Sequence, residues 1–411
     1  RQMCIRDRFF TACKQTSGGG GGGKPTPKHA INFSVDSTTP NGTLKVEGDG
    51  ITQPATSPIT VEHGKEVIFT AKANAGYKIG KWTVTGSVLE TGTGVEGSET
   101  AKVKITADTT VSVSFEAIPE GAILTLAADK EIVAVWAKTA DNSAITVEGC
   151  NETTFTSENQ TDLHAKAKGA TITLKGNIIE LHVIGTFQVM GPLTALDVSG
   201  LATLQKLDCG SNQLTSLNAS GLTELKEINC YSNKLTELNV QGCTALQKLE
   251  CNSNDLPELN VKGLTQLQTL DCANNKLTEL DVQGLNVLKN LRCNQNKLTS
   301  LNVKGLTALE ELDCRKNNLA TLDVGLTKLK NLDCDENKLK KLNASGLTEL
   351  KTLNCNENQL TELNVQGCTA LKNLYCHSNQ LDTKAMTKLL NALPQREASE
   401  DPSASAVALL Y

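Results

Sequence analysis

The sequence predicts a repeat solenoid with a parallel β-sheet along one side, preceded by small all-β domains. Three observations lead to this prediction. Cysteine recurs at a nearly constant interval through the second half of the chain, leucine and asparagine recur with the same period, and the first half alternates apolar and polar residues between turn signals. The 411 residues suffice for two or three domains. Their core must be aliphatic, because aromatic residues make up only 3% of the chain.

The cysteine spacing identifies one structural position that is repeated. Nine of the 14 cysteines follow one another at intervals of 21 residues, shortened once to 20: Cys209, Cys230, Cys251, Cys272, Cys293, Cys314, Cys334, Cys355 and Cys376. Disulfide frameworks keep no fixed period, and zinc sites need closely paired ligands that this pattern lacks. In-register parallel strands also point neighbouring Cβ atoms the same way, which is unsuited to bridging. We therefore expect free, buried thiols.

The repeating unit is Leu-x-x-Leu-x-Cys-x-x-Asn-x-Leu-x-x-Leu. A degenerate copy begins around Leu181 and Val183, and nine full copies follow, the first at Leu204, Leu207, Cys209, Asn212, Leu214 and Leu217. The unit resembles the leucine-rich-repeat consensus over more than half of the chain, with cysteine at the third leucine position. The resemblance implies a horseshoe with a parallel β-sheet on its concave face and extended or 3₁₀ segments on its convex side.

Each repeated residue has an expected place in the coil. Leucine and cysteine are separated by one residue, so both side chains point inward and the residue between them points outward. The asparagine follows the strand, where its amide can satisfy backbone groups of the turn. One residue is missing near Gly325, in the return segment, so the strand register should survive. Cys243 and Cys368 replace leucine in that segment and are expected in the core.

Residues 29–117 alternate apolar and polar residues with turn signals about every ten residues, which predicts an antiparallel sheet with one face in water. Segments 64–67 and 109–115, together with Tyr77 and Trp82, resemble the divergent internalin-type B-repeat, a small β module of bacterial surface proteins. The resemblance implies a spacer. Tyr77 and Trp82 could form a ligand platform, but such aromatic residues more often form the core of a small sheet.

Two further segments are expected to close the ends of the solenoid. Residues 118–180 are β-patterned and are interpreted as an N-terminal cap, because a first coil cannot leave its core open to water. After Leu381, helical apolar spacing with Asp382 or Thr383 as N-cap and Pro394 as a stop predicts a C-terminal cap helix. The expected domain boundaries are 1–28, 29–117, 118–180, 181–381, 382–394 and 395–411, the last being a truncated tail.

Residues 1–28 are interpreted as the truncated remnant of a lipoprotein signal followed by a glycine-rich tether. Residues 9–12 (FFTA) before Cys13 resemble the end of such a signal, in which the cysteine becomes lipidated. Gly18 to Gly23 cannot pack, which predicts a flexible tether. The alternative interpretation is a lone cysteine in a damaged terminus. No apolar run approaches the roughly 18 residues that a membrane span needs.

Nothing in the sequence indicates an enzyme, a cofactor or a metal site. The five histidines are scattered over three regions, and no Gly-x-Ser-x-Gly segment, phosphate loop or pair with metal-ligand spacing occurs. The net charge of −5 is opposite in sign to that of general nucleic-acid or anionic-membrane binders. The composition therefore favours a non-enzymatic binding protein.

The predicted ligand-binding residues lie on the concave face, at outward positions of the repeat strands or just beyond the cysteines: Asp208, Tyr231, Glu250, Asp271, Arg292, Asp313, Asp333, Tyr375 and His377. Tyrosine and arginine are favoured at interface hot spots, but few occur here, so avidity on a cell surface is expected to contribute. The alternative for any single residue is a solvated face that serves solubility.

We hypothesise a surface-exposed lipoprotein of the bacterial envelope, on the outer membrane, or a secreted form. It would bind a protein partner on a host or neighbouring cell and serve adhesion, as the internalin-type resemblance implies. The alternative is an envelope scaffold or a polysaccharide-binding protein. The repeat columns contain no outward tryptophan, which disfavours carbohydrate stacking.

Overall fold

The computed structural model describes residues 26–36, 41–53, 55–74, 77–90, 93–95, 97–185, 191–394 and 408–409. The predictions for Cys13, for the glycine tether and for most of the tail lie outside these residues. The chain forms a front module of β-strands, a β-sandwich that we call the cap, and a solenoid of coils. Within the described ranges, no helix is both long and apolar enough to cross a bilayer.

The front module contains eight strands in two four-stranded sheets. The strands are β1 (Lys28–Val35), β2 (Gly42–Gly48), β3 (Ile59–Glu62), β4 (Glu66–Ala73), β5 (Tyr77–Thr85), β6 (Val88–Leu89), β7 (Thr100–Lys104) and β8 (Thr109–Ala117). One sheet has the order β3-β1-β8-β5 and the other β2-β4-β7-β6. Apolar residues of both sheets form a single core around Phe69, because alternation gives each sheet one buried face.

The prediction of a purely antiparallel module is wrong at one pair of strands. β1 and β8 run parallel, with Phe33 opposite Val111. Alternation reports which side of a strand is buried, and it is the same for both directions of pairing, so the sequence pattern could not reveal this pair. Trp82 is confirmed as a core residue: it is buried and its indole N–H donates to the Ser98 carbonyl at 2.8 Å. Tyr77 is half-buried.

The cap contains eight strands that form two antiparallel groups. They are β9 (Ala122–Leu126), β10 (Ile132–Thr139), β11 (Ile145–Glu148), β12 (Thr154–Phe155), β13 (Gln160–His164), β14 (Thr171–Lys175), β15 (Ile178–His182) and β16 (Leu193–Asp197). One group has the order β13-β10-β15 and the other β12-β11-β14-β9-β16. Their buried side chains belong to the same apolar core as the coils, so the cap and the solenoid are continuous.

The solenoid places nine short strands side by side. They are β17 (Lys206–Asp208), β19 (Glu227–Asn229), β21 (Lys248–Glu250), β22 (Thr269–Asp271), β23 (Asn290–Arg292), β24 (Glu311–Asp313), β25 (Asn331–Asp333), β27 (Thr352–Asn354) and β29 (Asn373–Tyr375). All pair in parallel and in register, and β15 of the cap pairs in parallel with β17. The result is one 13-stranded sheet, here called the long sheet, that begins in the cap. The predicted solenoid with a parallel sheet is confirmed.

The return segments consist of turns and short strands. The strands are β18 (Ser216–Asn218), β20 (Glu237–Asn239), β26 (Lys341–Asn343) and β28 (Glu362–Asn364). In most coils the return segment contains a glycine with a left-handed backbone conformation, such as Gly284 at φ 86°. Gly325 in the shortened coil does not adopt this conformation. The register nevertheless survives the missing residue as expected, because Leu312 still pairs with Leu332.

The cysteine and asparagine columns lie inside the coils, as the sequence predicts. All nine ladder cysteines are buried and free, and so are Cys243 and Cys368. Burial raises the pKa of Cys243 to about 12. Each asparagine bonds two coils: the Asn296 side chain accepts from the Leu277 N–H at 2.9 Å and donates to the Cys272 carbonyl at 3.0 Å. The buried amides thus replace water for the backbone of the turns.

The far end of the solenoid carries helix α1 (Thr383–Ala392). Its N-cap is Asp382, whose carboxylate accepts from the Ala385 N–H at 2.7 Å, and Leu389 is buried against the last coils. Strand β30 (Ala408–Leu409) pairs in parallel with β29 and adds the last strand to the long sheet.

The front module contacts the cap through a buried ion pair. The Lys78 ammonium donates to the Asp197 carboxylate at 2.8 Å and to the Ser199 hydroxyl at 3.2 Å. Only 17% of the Lys78 side chain is exposed. Burial raises the pKa of Asp197, but the hydrogen bonds from Lys78 and Ser199 outweigh it, so that the pKa lies below its ordinary value. Val95 of the module also lies beside Glu237 and Asn239 of β20, so the module contacts the return side of the first coils.

Candidate binding face of the long sheet

The outward residues of the repeat strands form one straight row across the long sheet. Because the strands pair in register, each outward residue lies opposite the equivalent residue of the next coil, roughly 4.8 Å away. Seven of the nine predicted site residues lie in this row, and Asn229 and Asn354 complete it. The order is Asp208, Asn229, Glu250, Asp271, Arg292, Asp313, Asp333, Asn354 and Tyr375. We call this the first row.

The remaining two predicted residues, Tyr231 and His377, belong to a second row, two positions further along each coil. This row also contains Arg315 and Asp335. The Tyr231 ring lies over Gly210, where a Cβ atom would come within 2.5 Å of the ring. The His377 N–H donates to the Asn356 side chain at 3.0 Å, and its ring contacts the Ser378 hydroxyl. Tyr231 and His377 thus lie near opposite ends of the solenoid.

Acidic side chains in the middle of the first row are linked by arginines. Arg315 lies 3.4 Å from the carboxylates of both Asp313 and Asp333, and Arg292 lies 3.9 Å from that of Asp271. Arg292 and the two aspartates at 313 and 333 line a shallow depression of about 240 Å³. Both arginines are more than two-fifths exposed, so each pair contributes at most about 1 kcal/mol to stability. The pairs leave the arginines accessible to a partner.

The carboxylates of this face lie partly out of water. Burial raises the pKa of Asp208, Asp271 and Asp313 above the ordinary value of an aspartate. For Asp333, burial and the neighbouring Asp313 both raise the pKa. Burial, with Asp333 and Glu336 adding to it, raises the pKa of Asp335 to about 6. Crowded carboxylates of this kind favour a cationic ligand, because such a ligand relieves their repulsion.

The cap adds two residues to the first row that the sequence analysis did not assign to the site. Trp136 of β10 lies opposite His182 of β15, which lies opposite Asp208 of β17. The indole and imidazole rings meet edge to face, with centroids 4.7 Å apart. The alternation Val133-Ala134-Val135-Trp136 could have revealed an outward tryptophan, but only the sheet order shows that it continues the repeat row.

Among the residues that the structure describes, no three histidine, cysteine, aspartate or glutamate side chains are grouped so that they could hold a metal ion. The ladder thiols are buried and their pKa values are raised by burial, as for Cys293 and Cys314, which keeps them in the unreactive thiol form. Extended faces of this kind are the surfaces with which solenoid proteins bind partners.

The coils and the long sheet define a leucine-rich-repeat solenoid, and the comparisons with known proteins agree with the internalin-type resemblance of the front module. Residues 38–119 match the family model of the divergent InlB B-repeat domain. The front module is thus similar to the divergent InlB B-repeat domain. No curated protein matches the chain.

Several solved structures show some similarity to this chain. The functional domain of InlJ from Listeria monocytogenes, described as including a cysteine ladder, is 28% identical, with a TM-score of 0.35 over 54% of this chain and 60% of that one. YopM from Yersinia enterocolitica is 24% identical, with a TM-score of 0.36 over 44% and 43%. The leucine-rich-repeat protein LIC12759 of Leptospira interrogans is 19% identical, with a TM-score of 0.26 over 48% and 78%. The chain therefore spans about three-fifths of the InlJ structure.

Proposed function

We propose that the chain is a non-enzymatic adhesion protein of a bacterial surface. It binds a protein partner on the concave face, which the outward residues of the long sheet form. One observation carries the proposal. Along nine consecutive strands the inward cysteine never changes, whereas the outward residue varies among aspartate, asparagine, glutamate, arginine and tyrosine. Packing requires the uniform column. The varied column has no such role, and its residues form a continuous polar surface suited to a specific partner.

The nine predicted site residues are part of this proposal. Asp271, Asp313 and Asp333, with Arg292, form its centre, because their ion pairs are partly desolvated and would be completed or exchanged by a partner. Tyr375 at one end of the first row and Tyr231 near the other end, in the second row, supply aromatic contact. A partner that touches the whole row would span about nine strands, and the many modest contacts would add up.

The test is a binding screen of the full chain against extracellular-matrix and cell-surface proteins by surface plasmon resonance. In a second chain, Asp271→Lys, Asp313→Lys and Asp333→Lys are combined. A control chain carries Glu224→Lys, Glu279→Lys and Glu349→Lys, which make the same change of charge at exposed positions away from the face. We expect the first chain to lose binding and the control to retain it. Equal binding by both would disprove the assignment of the face.

Attachment to a membrane through Cys13 is a separate part of the proposal. It is supported by residues 9–12, which resemble the end of a lipoprotein signal, and by the glycine run that follows. The anchor would place the protein on the outer membrane with the solenoid held away from it. Mass spectrometry of the protein isolated from the bacterium that encodes it would show a lipid mass on the peptide containing Cys13, absent after Cys13→Ser. An unmodified peptide from the membrane fraction would refute the anchor.

The second candidate function is polysaccharide binding in the envelope, or a scaffolding role there. One observation favours polysaccharide binding. Trp136 supplies the outward indole that the repeats lack, with Gln160 and Glu180 beside it as hydrogen-bonding groups. A glycan array that is positive while the protein screen is negative would select this function over adhesion to a protein.

A further inference from the structure

The cap end of the long sheet contains a depression, beside the first row, with both apolar and polar walls. It measures about 370 Å³ and is lined by Ala134, Trp136, Gln160, Glu180, His182 and Ile184. All lie on the cap strands β10, β13 and β15 or just beyond them, and none belongs to one of the nine full repeats. Ile184 is 42% exposed, which is unusual for a large aliphatic side chain. The depression therefore offers an apolar wall that no described part of the protein covers.

The aromatic residues in and beside this depression are held in place by neighbouring groups. The Trp136 indole N–H donates to the Glu158 carbonyl at 2.9 Å, and the His182 ring supports the indole edge to face. The Tyr231 ring extends over Gly210, and Gly210 pairs with Gly185, next to Ile184. Because these rings are already ordered, binding a ligand would cost little side-chain entropy.

The charges around the depression are predominantly negative. Lys138 and Lys206 lie opposite Glu180 on the two neighbouring strands. Each lysine also forms an ion pair with another glutamate, Lys138 with Glu158 at 2.6 Å and Lys206 with Glu227 at 3.5 Å, so the carboxylates of this region outnumber its lysines. Glu180 forms part of the wall, Asp162 lies opposite Ala134, and Asp208 lies opposite His182. An indole face with carboxylates at its rim attracts a cation and repels an anion, whereas a neutral sugar would gain nothing from the carboxylate charge.

We infer that this depression is a binding site for a cationic side chain, and that it receives an arginine of a basic segment of the protein partner. The aliphatic stem of the arginine packs on Ala134 and Ile184, the guanidinium lies against Trp136, and Glu180 accepts its hydrogen bonds. The remainder of the segment follows the acidic first row away from Asp208. The inference deepens the proposed function and rests on it, since it names the chemistry of the partner and the end at which its anchor lies.

The experiment uses the full chain and a fluorescently labelled peptide with two arginines separated by glycine. A second peptide carries citrulline in place of arginine, which keeps the shape and removes the charge. We expect the arginine peptide to bind, the citrulline peptide to bind about tenfold more weakly, and affinity to fall as salt is raised to about 0.5 M. Equal affinity of the two peptides would overturn the inference.

Single substitutions locate the site. Glu180→Gln and Trp136→Leu should each weaken the arginine peptide by about five- to tenfold, whereas Glu349→Gln, on the return side, should leave it unchanged. Glu180→Gln changes only a partly exposed carboxylate, so it remains informative if Trp136→Leu disturbs the cap. Peptide binding that is insensitive to both substitutions would place the cation elsewhere and refute the inference.

A fluorescence measurement provides a direct reporter. The chain has two tryptophans, and Trp82 is buried in the front module, so Trp82→Phe leaves Trp136 as the sole indole. The arginine peptide should change its emission saturably. A change caused by a neutral oligosaccharide and not by the peptide would overturn the inference in favour of a glycan site.

The outcomes separate this inference from the proposed function. If the three lysine substitutions at 271, 313 and 333 abolish partner binding while Trp136→Leu and Glu180→Gln do not affect it, the binding face stands and the arginine site fails. If Trp136 and Glu180 control peptide binding while the three lysines do not affect a partner, the site stands and the extended face fails.

Discussion

Asp313 and Cys314 are adjacent in the chain, yet they belong to two regions that obey opposite rules. The inward column, with Cys314, repeats one small apolar residue through nine coils, and its members are buried. The outward column, with Asp313, changes from coil to coil and is partly exposed. The inward residue must fill the same space in each coil, because the strands stack in register. The outward residue has no packing requirement and is available for recognition.

Variation among the repeats therefore marks the places where a side chain does not contribute to packing. It also predicts that substitutions will act differently on the two columns. Inward changes should reduce stability and affect binding only through the fold, whereas outward changes should alter binding and leave the coils intact.

The largest expected difference between the columns is thiol reactivity. The buried Cys293 should react with a thiol reagent at least about a hundredfold more slowly in the folded chain than after denaturation, since reaction needs local unfolding. Arg292→Cys would place a thiol one residue away, on the outward side, and this thiol should react at once. Peptide-resolved mass spectrometry after alkylation distinguishes the two sites. Rapid labelling of Cys293 in the folded protein would contradict the inward ladder.

The second effect concerns the buried amides. Asn296→Ala removes the acceptor of the Leu277 N–H, which is left buried without a partner. It also removes one of the two asparagine donors to the Cys272 carbonyl and one of the two to the Cys293 carbonyl, and the bonds from Asn275 and Asn317 remain. We expect the free energy of unfolding to fall by about 1–3 kcal/mol, the cost of one unsatisfied buried N–H. Asn286→Ala, at an exposed position of the preceding return segment, is the control and should change it by less than about 0.5 kcal/mol. Urea denaturation followed by circular dichroism measures both, and similar losses would show that the amide column is unimportant.

The third effect is the change in stability caused by substitutions at the turn, which lies between the cysteine and the asparagine of each coil. Nine non-glycine residues just before the asparagines adopt left-handed backbone conformations, including Gln295 at φ 54°. Gln295→Gly should therefore raise the free energy of unfolding by about 0.5–1 kcal/mol, as it relieves the strain of a side chain at positive φ. Lys297→Gly, two residues later and outside this region of φ, should lower it by about the same amount. A loss of stability in both variants would rule out strain at this position.

The smallest effect is the pH dependence of stability due to Asp335. Its pKa of about 6 in the folded chain lies above the ordinary value of 3.8, so folding favours the protonated form. The stability from this group is complete below about pH 4 and is lost as the pH rises through 6. Because the side chain is only partly buried, solvent screening limits the loss to less than about 1 kcal/mol.

Asp335→Asn should remove this part of the pH profile and make the chain slightly more stable than the parent at pH 7. Urea midpoints of the two chains between about pH 4 and 7 give the comparison. A parent whose midpoint rises relative to that of Asp335→Asn over this range would contradict the raised pKa.

Much of the solenoid could be predicted from the sequence because each coil repeats the same local rule. The spacing of Leu207 and Cys209 places both side chains inward, and Asn212 follows at the turn, so the sequence alone determined the ladder, the amide column and the outward row. The shortened coil at Gly325 could be placed for the same reason, since its missing residue falls outside the strands.

The neighbours of a strand were decided only by the tertiary structure. Alternation of apolar and polar residues shows which side of β1 or β10 is buried. It does not show which strand pairs with β1 or β10, or whether the pairing is parallel. The parallel pairing of β1 with β8, the placement of Trp136 at the head of the repeat row and the contact of Lys78 with Asp197 all join residues far apart in sequence. Such contacts depend on the packing of whole sheets, which no local pattern of residues encodes.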